Sequence, residues 1–139
     1  KSFNNFYLSP IICYESVYGE YVTEYTRSGS KLFAIITNDG WWDVSEGHKQ
    51  HLSYAKLRAI ENRRNIVRSA NTGVSAIINY RGEIEDSIEY GEEGFINTNV
   101  GLIEEKTFYV NYGDYIFRIS LFFFIIIGLH FLATIVKIK

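Results

Sequence analysis

The sequence predicts a layered α/β domain followed by one transmembrane helix. Three observations carry this. Short apolar, β-branched runs alternate with helical stretches over residues 11–62. Further β-type runs then follow one another over 66–88. Last, residues 119–136 read ISLFFFIIIGLHFLATIV, without a single charge. The order strand–helix–strand–helix and then consecutive strands is that of a sheet with helices layered against it.

Residues 1–9 carry no self-contained element. Ile11-Ile12-Cys13 reads as a strand that needs neighbours, with Pro10 before it. Residues 16–28 read as a helix. Val17, Tyr21 and Tyr25 recur at helical spacing, and Gly29 supplies the stop. Leu32-Phe33-Ala34-Ile35-Ile36-Thr37 is a short continuous apolar run, the pattern of a strand buried on both faces. Asn38-Asp39-Gly40 ends it and opens a polar loop through Gly47. Residues 48–62 form a second helix, with Leu52, Ala55 and Ala59 on one side. Residues 66–70 and 74–80 read as a hairpin around Asn71-Thr72-Gly73. Arg81-Gly82 turns the chain into 83–88, whose alternating polarity suits an edge strand. Residues 90–101 are Gly- and Glu-rich, a loop with a short strand expected near Phe95-Ile96.

Composition narrows the function classes. The net charge is −2 and no Lys/Arg stripe forms, so nucleic acid is not an expected partner. With one cysteine there is no internal disulfide, and cysteine usage leaves the compartment open. The chain opens on Lys1 without a signal-peptide pattern, as a segment that continues upstream would. At ~1.5 Å per residue, the eighteen residues 119–136 span about 27 Å as a helix, close to the hydrocarbon thickness of a bilayer. The domain division is therefore 1–114 and 115–139. Lys137 and Lys139 outvote Arg118 and place the tail on the cytoplasmic side, with the preceding domain outside the cytoplasm. His130, inside the apolar run, fits a neutral imidazole bonded to another helix.

Cys13 is the residue with the most chemistry. It sits in Pro10-Ile11-Ile12-Cys13-Tyr14-Glu15, on a strand-to-helix turn. Such a turn exposes a side chain above fixed backbone, and a helix N-terminus beside a thiol favours the attacking thiolate. An isolated cysteine more often simply packs, and the hexapeptide alone favours packing. Trp41 and Trp42 have two readings, lining an acyl-chain pocket or membrane interface and ordinary loop packing. Asn38 and Asp39 read first as a turn, with substrate contact as the second reading. His48 and His51, one helical turn apart, with Asp39 or Asp43 nearby, are too few ligands for a metal centre. Of Arg58, Arg63, Arg64 and Arg68, Arg58 suits a structural ion pair and most of the others a solvated helix face.

A wider pattern reverses the packing reading of Cys13. Ile12-Cys13-Tyr14-Glu15, Thr37-Asn38-Asp39-Gly40-Trp41-Trp42, His51 with Leu57-Arg58-Ala59-Ile60-Glu61-Asn62, and Arg68-Ser69-Ala70-Asn71-Thr72-Gly73-Val74-Ser75 occur in this order. The set resembles the carbon–nitrogen hydrolase (nitrilase) superfamily. With Tyr112-Gly113-Asp114 and the terminal apolar run, it resembles the C-terminal part of the bacterial apolipoprotein N-acyltransferases. The resemblance implies part of a nitrilase-like α-β-β-α sandwich followed by one C-terminal transmembrane helix. It implies Cys13 as nucleophile, with Glu15 as the carboxylate that supports the site. Tyr14, Asn38, Trp41 and Trp42 are the candidate substrate contacts. The family's catalytic Glu and Lys lie upstream of its cysteine, so the expected partners include an upstream portion or partner chain that supplies them. Glu61 belongs to the helix motif and is structural.

The implied reaction moves an acyl chain from a phospholipid to the amine of a diacylglyceryl-modified lipoprotein cysteine, through a cysteine thioester and without a cofactor. The implied location is the bacterial inner membrane, with the catalytic domain on the periplasmic side. Two other readings stand beside it. One is a membrane-tethered amidase of the same superfamily. The other is an inactive or split fragment, since the family's Glu and Lys do not map onto these residues.

Overall fold

The computed structural model describes residues 6–43 and 45–138. The sequence expectation for residues 1–5 lies outside the described residues.

Five strands form one sheet in the order β1-β2-β3-β4-β5. They are β1 Tyr7–Ile12, β2 Ser30–Thr37, β3 Asn65–Ala70, β4 Ser75–Ile78 and β5 Ile84–Ile88. The first three are parallel, and β4 and β5 continue antiparallel. Parallel neighbours need crossovers. Helix α1, Gly19–Arg27, links β1 to β2, and α2, Gly47–Asn62, links β2 to β3. Val22 of α1 and Ala55 and Ala59 of α2 join Ile11, Phe33, Ile35, Ile66, Ala76 and Ile78 in one buried cluster. Both helices therefore cover the same face of the sheet.

The register explains that cluster. Ile11 pairs with Ile35 and Ile35 with Arg68, while Phe33 pairs with Ile66 and Ile66 with Ile78. Cross-strand partners share a face, so these residues form the layer beneath the helices. The alternate residues point the other way. Leu8, Ile12 and Ile36 are exposed there, Ile36 by 54%. β2 is thus buried on one face along its length and open on the other near its end, against the expectation of burial on both.

Other expectations shift as well. The first strand begins at Tyr7, earlier than expected, because its residues find β2 as a partner. The buried side of α1 is Val22, Thr23 and Thr26, while Tyr21 is exposed and Tyr25 only partly packed. Phe95 is 89% exposed, and no strand forms at Phe95-Ile96. A short helix that the sequence pattern did not reveal, α3 Phe108–Tyr112, starts where the Thr107 hydroxyl accepts from the Val110 N–H at 3.1 Å.

The C-terminal helix α4 runs Tyr115–Ile138. Within its stretch Tyr115–Ile135 an 18-residue window has a mean hydropathy of 2.3, and none of that window is buried within the chain. At 21 residues and ~1.5 Å each it is about 32 Å long, enough to cross a bilayer. Asp114 accepts from the Phe117 N–H at 2.9 Å and closes its first turn. Its root is tied to α1, where Glu20 accepts from Arg118 at 2.8 Å and from the Asp114 N–H at 2.9 Å. The orientation argument from Lys137 and Lys139 rests on side chains outside the described residues.

The two faces of β2 should respond differently to truncation. Phe33→Ala, in the buried layer, is expected to cost about 3–5 kcal/mol. Ile36→Ala, on the open face, is expected to change the stability of this chain by no more than about 0.5 kcal/mol. Urea unfolding of both variants in detergent micelles checks this. Equal losses would mean that the open face is covered.

Candidate active site

The three parallel strands point their carboxyl ends the same way, so the segments that follow them meet at one edge. Functional groups in α/β sheets gather at that edge. Cys13 follows β1, Asn38 and Asp39 follow β2, and Asn71 follows β3.

Cys13 opens a 3-10 turn, Cys13–Val17, and is half-buried with a free thiol. Its φ is +49°, in the left-handed region. That conformation costs a non-glycine residue roughly 1–2 kcal/mol, so neighbouring groups must hold it. On one side Glu15 reaches back, and its Oε2 accepts from the Ile12 N–H at 2.7 Å. Tyr21 donates to Glu15 Oε1 at 3.2 Å. The Tyr21 phenol is pushed up to about 12, first by its hydrogen bond with Tyr25, so it remains a donor. On the other side, the Cys13 carbonyl accepts from the Ser16 hydroxyl at 2.9 Å and lies 3.2 Å from His51 Nε2. At the end of the turn, Arg58 donates to the Val17 carbonyl at 3.2 Å and pairs with Glu61 at 3.0 Å. Glu61 is raised by burial, which outweighs the nearby Arg58 charge.

Behind the thiol lies a buried polar chain. His51 Nδ1 meets Asp39 Oδ1 at 2.8 Å, and His51 Nε2 meets Ser16 Oγ at 2.9 Å. Arg68 forms an ion pair with Asp39 Oδ2, and both side chains are fully buried. Arg68 also donates to the carbonyls of Gly73 and Val74. Thr37 Oγ1 lies 2.9 Å from Asp39 Oδ1 and 3.3 Å from Cys13 Sγ. Its single proton serves one of these acceptors at a time. Burial alone would push the Asp39 carboxyl up. The hydrogen bonds from His51 and Arg68, the Arg68 charge and Thr37 outweigh this and hold it below its ordinary value. Asp39 is therefore an anion, and it accepts the proton of His51 Nδ1.

The candidate residues divide around this frame. Tyr14 is exposed and borders a cleft of about 120 Å³ with Val17, Trp42, Gln50, His51 and Tyr54. Trp42 packs 5.3 Å from the His51 ring and against Gly47, where a Cβ would come within 2.3 Å of the indole. Trp41 is 82% exposed, beside Asn38, Asn71 and Thr72. Asn38 Oδ1 accepts from the Gly40 N–H at 3.1 Å and from Asn71 at 3.3 Å, so Asn38 braces the turn. A cavity of about 600 Å³ lies at the other end of the parallel strands, between Arg63, Tyr80 and Arg81, away from Cys13.

Sequence reading took Arg64 and Arg68 for a solvated face and missed their burial, while Arg58 forms the ion pair expected of it, with Glu61. Arg58, Arg64 and Arg68 are buried, and only Arg63 of the four is exposed. Arg64 spends its donors on the carbonyls of Ser30, Arg63 and Glu105. Each buried guanidinium has carbonyl or carboxylate partners, which is what permits its burial. His51 and Asp39, weighed as metal ligands, instead form a pair completed by Arg68. His48 is buried against Tyr90, with the ring centroids 4.4 Å apart.

Residues 6–104 match the family model of the carbon-nitrogen hydrolases. Among curated proteins, the apolipoprotein N-acyltransferase of Geobacter metallireducens is 41% identical over 104 residues, which cover 75% of this chain and 20% of that protein. The apolipoprotein N-acyltransferase of Chlorobaculum tepidum is 34% identical over 114 residues, covering 82% of this chain and 21% of that protein. The chain thus spans about a fifth of the length of these relatives. Among solved structures, a variant of the nitrilase-superfamily amidase from Nesterenkonia AN1 aligns with a TM-score of 0.57 at 18% identity, over 68% of this chain and 37% of that one. A carbon-nitrogen hydrolase from Helicobacter pylori aligns with a TM-score of 0.55 at 15% identity, over 62% of this chain and 37% of that one.

Asp39 should make the fold acid-sensitive. Because its folded carboxyl titrates below the ordinary value, its contribution is complete above about pH 4 and is lost as pH falls through the lowered value. Asp39→Asn should cost about 3–5 kcal/mol, by leaving Arg68 buried without its counter-charge. It should also flatten the fall in melting temperature below pH 4. A D39N variant whose melting temperature follows the same acid slope as the parent would refute this account.

Proposed function

The chain belongs to the carbon-nitrogen hydrolase family, and we propose that it is the nucleophile-bearing part of a membrane N-acyltransferase that matures lipoproteins. The observation that carries this is the left-handed Cys13, held at the carboxyl edge of the sheet between Glu15 and the His51–Ser16 pair. Relatives bearing the acyltransferase name, and a terminal helix long enough to cross a bilayer, support a lipid substrate.

In this reading the Cys13 thiolate attacks the ester carbonyl of a phospholipid. The C–S bond forms, the ester C–O bond breaks, and the lysophospholipid alkoxide leaves with a proton. The amine of a diacylglyceryl-cysteine lipoprotein then attacks the thioester. The C–N bond forms, the C–S bond breaks, and the thiolate is regenerated as the amine gives up a proton. A 3-10 turn leaves its first N–H groups without partners inside the turn. The N–H of Tyr14 is thereby placed to help hold the oxyanion.

Glu15 supports the site by fixing the Ile12 N–H. Tyr14 and Trp42 border the substrate cleft, while Trp41 and Asn38 line the approach beside the β3–β4 loop. An upstream portion, or a partner chain, supplies the Glu that shuttles protons and the Lys that balances the developing charge. The site works at the bacterial inner membrane, with the domain (residues 1–114) on the extracytoplasmic side, the helix (115–139) spanning, and the C-terminus inside.

The test uses the full-length membrane protein that carries this chain and a phospholipid with an alkyne-tagged acyl chain. A hydroxylamine-labile tagged acyl group should appear on the Cys13 peptide, with release of lysophospholipid, and Cys13→Ala should abolish both. Transfer that persists in C13A would sink the reading. Ammonia release from a soluble amide, without lysophospholipid, would mean a tethered amidase. The 139-residue chain alone should turn over at less than about a hundredth of the full-length rate, since it lacks the upstream proton shuttle. Comparable turnover would mean that no upstream groups are needed.

A further inference from the structure

Cys13 is strained, and its backbone is fixed from both sides. Glu15 grips the amide before it. The carbonyl of Cys13 itself is met from the opposite side by the Ser16 hydroxyl at 2.9 Å, and His51 Nε2 lies 2.9 Å from that hydroxyl and 3.2 Å from the carbonyl. Ser16 belongs to the same turn and moves with it. His51 belongs to α2 and is 2% exposed, so it is anchored in the core. Its ring is locked on three sides. Nδ1 is set by Asp39 at 2.8 Å, Nε2 faces Ser16 at 2.9 Å, and Trp42 packs 5.3 Å from the ring. Asp39 is in turn fixed by Arg68 and Thr37.

We propose that His51 is a positioning residue for the nucleophile, acting on Cys13 through the Ser16 hydroxyl at the main-chain carbonyl rather than through the sulfur. Resting on the reading of Cys13 as the attacking thiol, it deepens that reading by assigning a residue outside the Cys–Glu–Lys set. The ring does not take the thiol proton, because both its nitrogens face other partners, Asp39 and the Ser16–Cys13 oxygens. What it sets is the Cys13 backbone angle, and hence where Sγ points. Thr37, 3.3 Å from Sγ, reads the same position from β2. The charged groups around His51 are Asp39 and, one step further, Arg68. The Tyr14 ring lies 6.2 Å from that of His51.

The distinguishing comparison is between His51→Gln, whose amide keeps a hydrogen-bonding group toward the Ser16 hydroxyl and the carbonyl, and His51→Leu, which fills the space without one. Both are made in the full-length protein. Three quantities are followed: kcat and KM with phospholipid, the rate of Cys13 alkylation by iodoacetamide read on its peptide by mass spectrometry, and the melting temperature. H51L should lower kcat about 100-fold, the scale of a 1 Å misplacement, with KM within about twofold, and should alter the alkylation rate severalfold. H51Q should recover kcat to within about tenfold of the parent at the same melting temperature as H51L.

Equal kcat in H51Q and H51L, or losses that merely follow the melting temperature, would overturn the proposal. If H51L fails to fold, Ser16→Ala replaces it. That variant removes the hydroxyl that lies between His51 Nε2 and the Cys13 carbonyl and should lower kcat about tenfold, and an unchanged kcat would overturn the proposal. The alkylation readout does not depend on acyl transfer. If the parent transfers no acyl chain but alkylation is altered in H51L and restored in H51Q, the acyltransferase reading fails and the positioning role of His51 stands.

Discussion

The carboxylate of Asp39 is the point on which the candidate site depends. It is fully buried, and an isolated charge there would be untenable. It survives because Arg68, His51 and Thr37 converge on it. These partners come from β3, α2 and β2, and through them the carboxylate reaches further. Arg68 fastens the Gly73–Val74 end of the β3–β4 loop, and His51 reaches the carbonyl of Cys13 after β1. The segments after all three parallel strands are thus referred to a single anion. A cluster of apolar side chains of the same volume would fill the space with similar stability, but it would not fix three loops at hydrogen-bond distances. The ion pair contributes geometry more than energy.

The open face of the sheet is the second constraint. One face packs α1 and α2 into a continuous core, whereas Leu8, Ile12 and Ile36 on the other remain exposed. Apolar sheet faces invite pairing or aggregation when left uncovered. The relatives are about four times as long as this chain, and the nitrilase-like reading supplies a second sheet to lie on that face.

How much was legible in the sequence follows from this. Cys13 and Glu15 stood out because their relation is local, a turn closed by residues three apart. The crossover helices and strands stood out because their periodicity is local too. The apolar run of β2 implied two buried faces because a sequence records what the whole protein buries, not what one segment buries by itself. The Arg68–Asp39–His51 chain was invisible for the opposite reason. Its members lie on three elements, and each alone has an ordinary reading as a solvated arginine, a turn aspartate or a stray histidine. Only the register that sets Arg68 beside Ile35, on the helix-covered face, turns that arginine inward. α3 escaped notice because at five residues it is too short for a periodic signal.

The root of α4 and the Cys13 turn share one short stretch of chain. Glu20, which holds Arg118 and the Asp114 N–H, is seven positions after Cys13. Those residues run through a 3-10 turn into α1, so at roughly 2 Å per residue the two points are about 14 Å apart along the chain. A clamp at that distance does not let the turn wander far from wherever the helix enters a membrane. For a soluble amide such a tether achieves nothing, since the substrate diffuses to any surface. For a phospholipid it decides the outcome. The ester to be attacked lies at the boundary between headgroups and hydrocarbon, and pulling a whole lipid into water costs about 0.8 kcal/mol per exposed methylene. A nucleophile held near the helix root meets the ester with the acyl chains still largely in the bilayer. The Glu20–Arg118 contact therefore weighs on the side of a lipid donor, by a route independent of Cys13 itself.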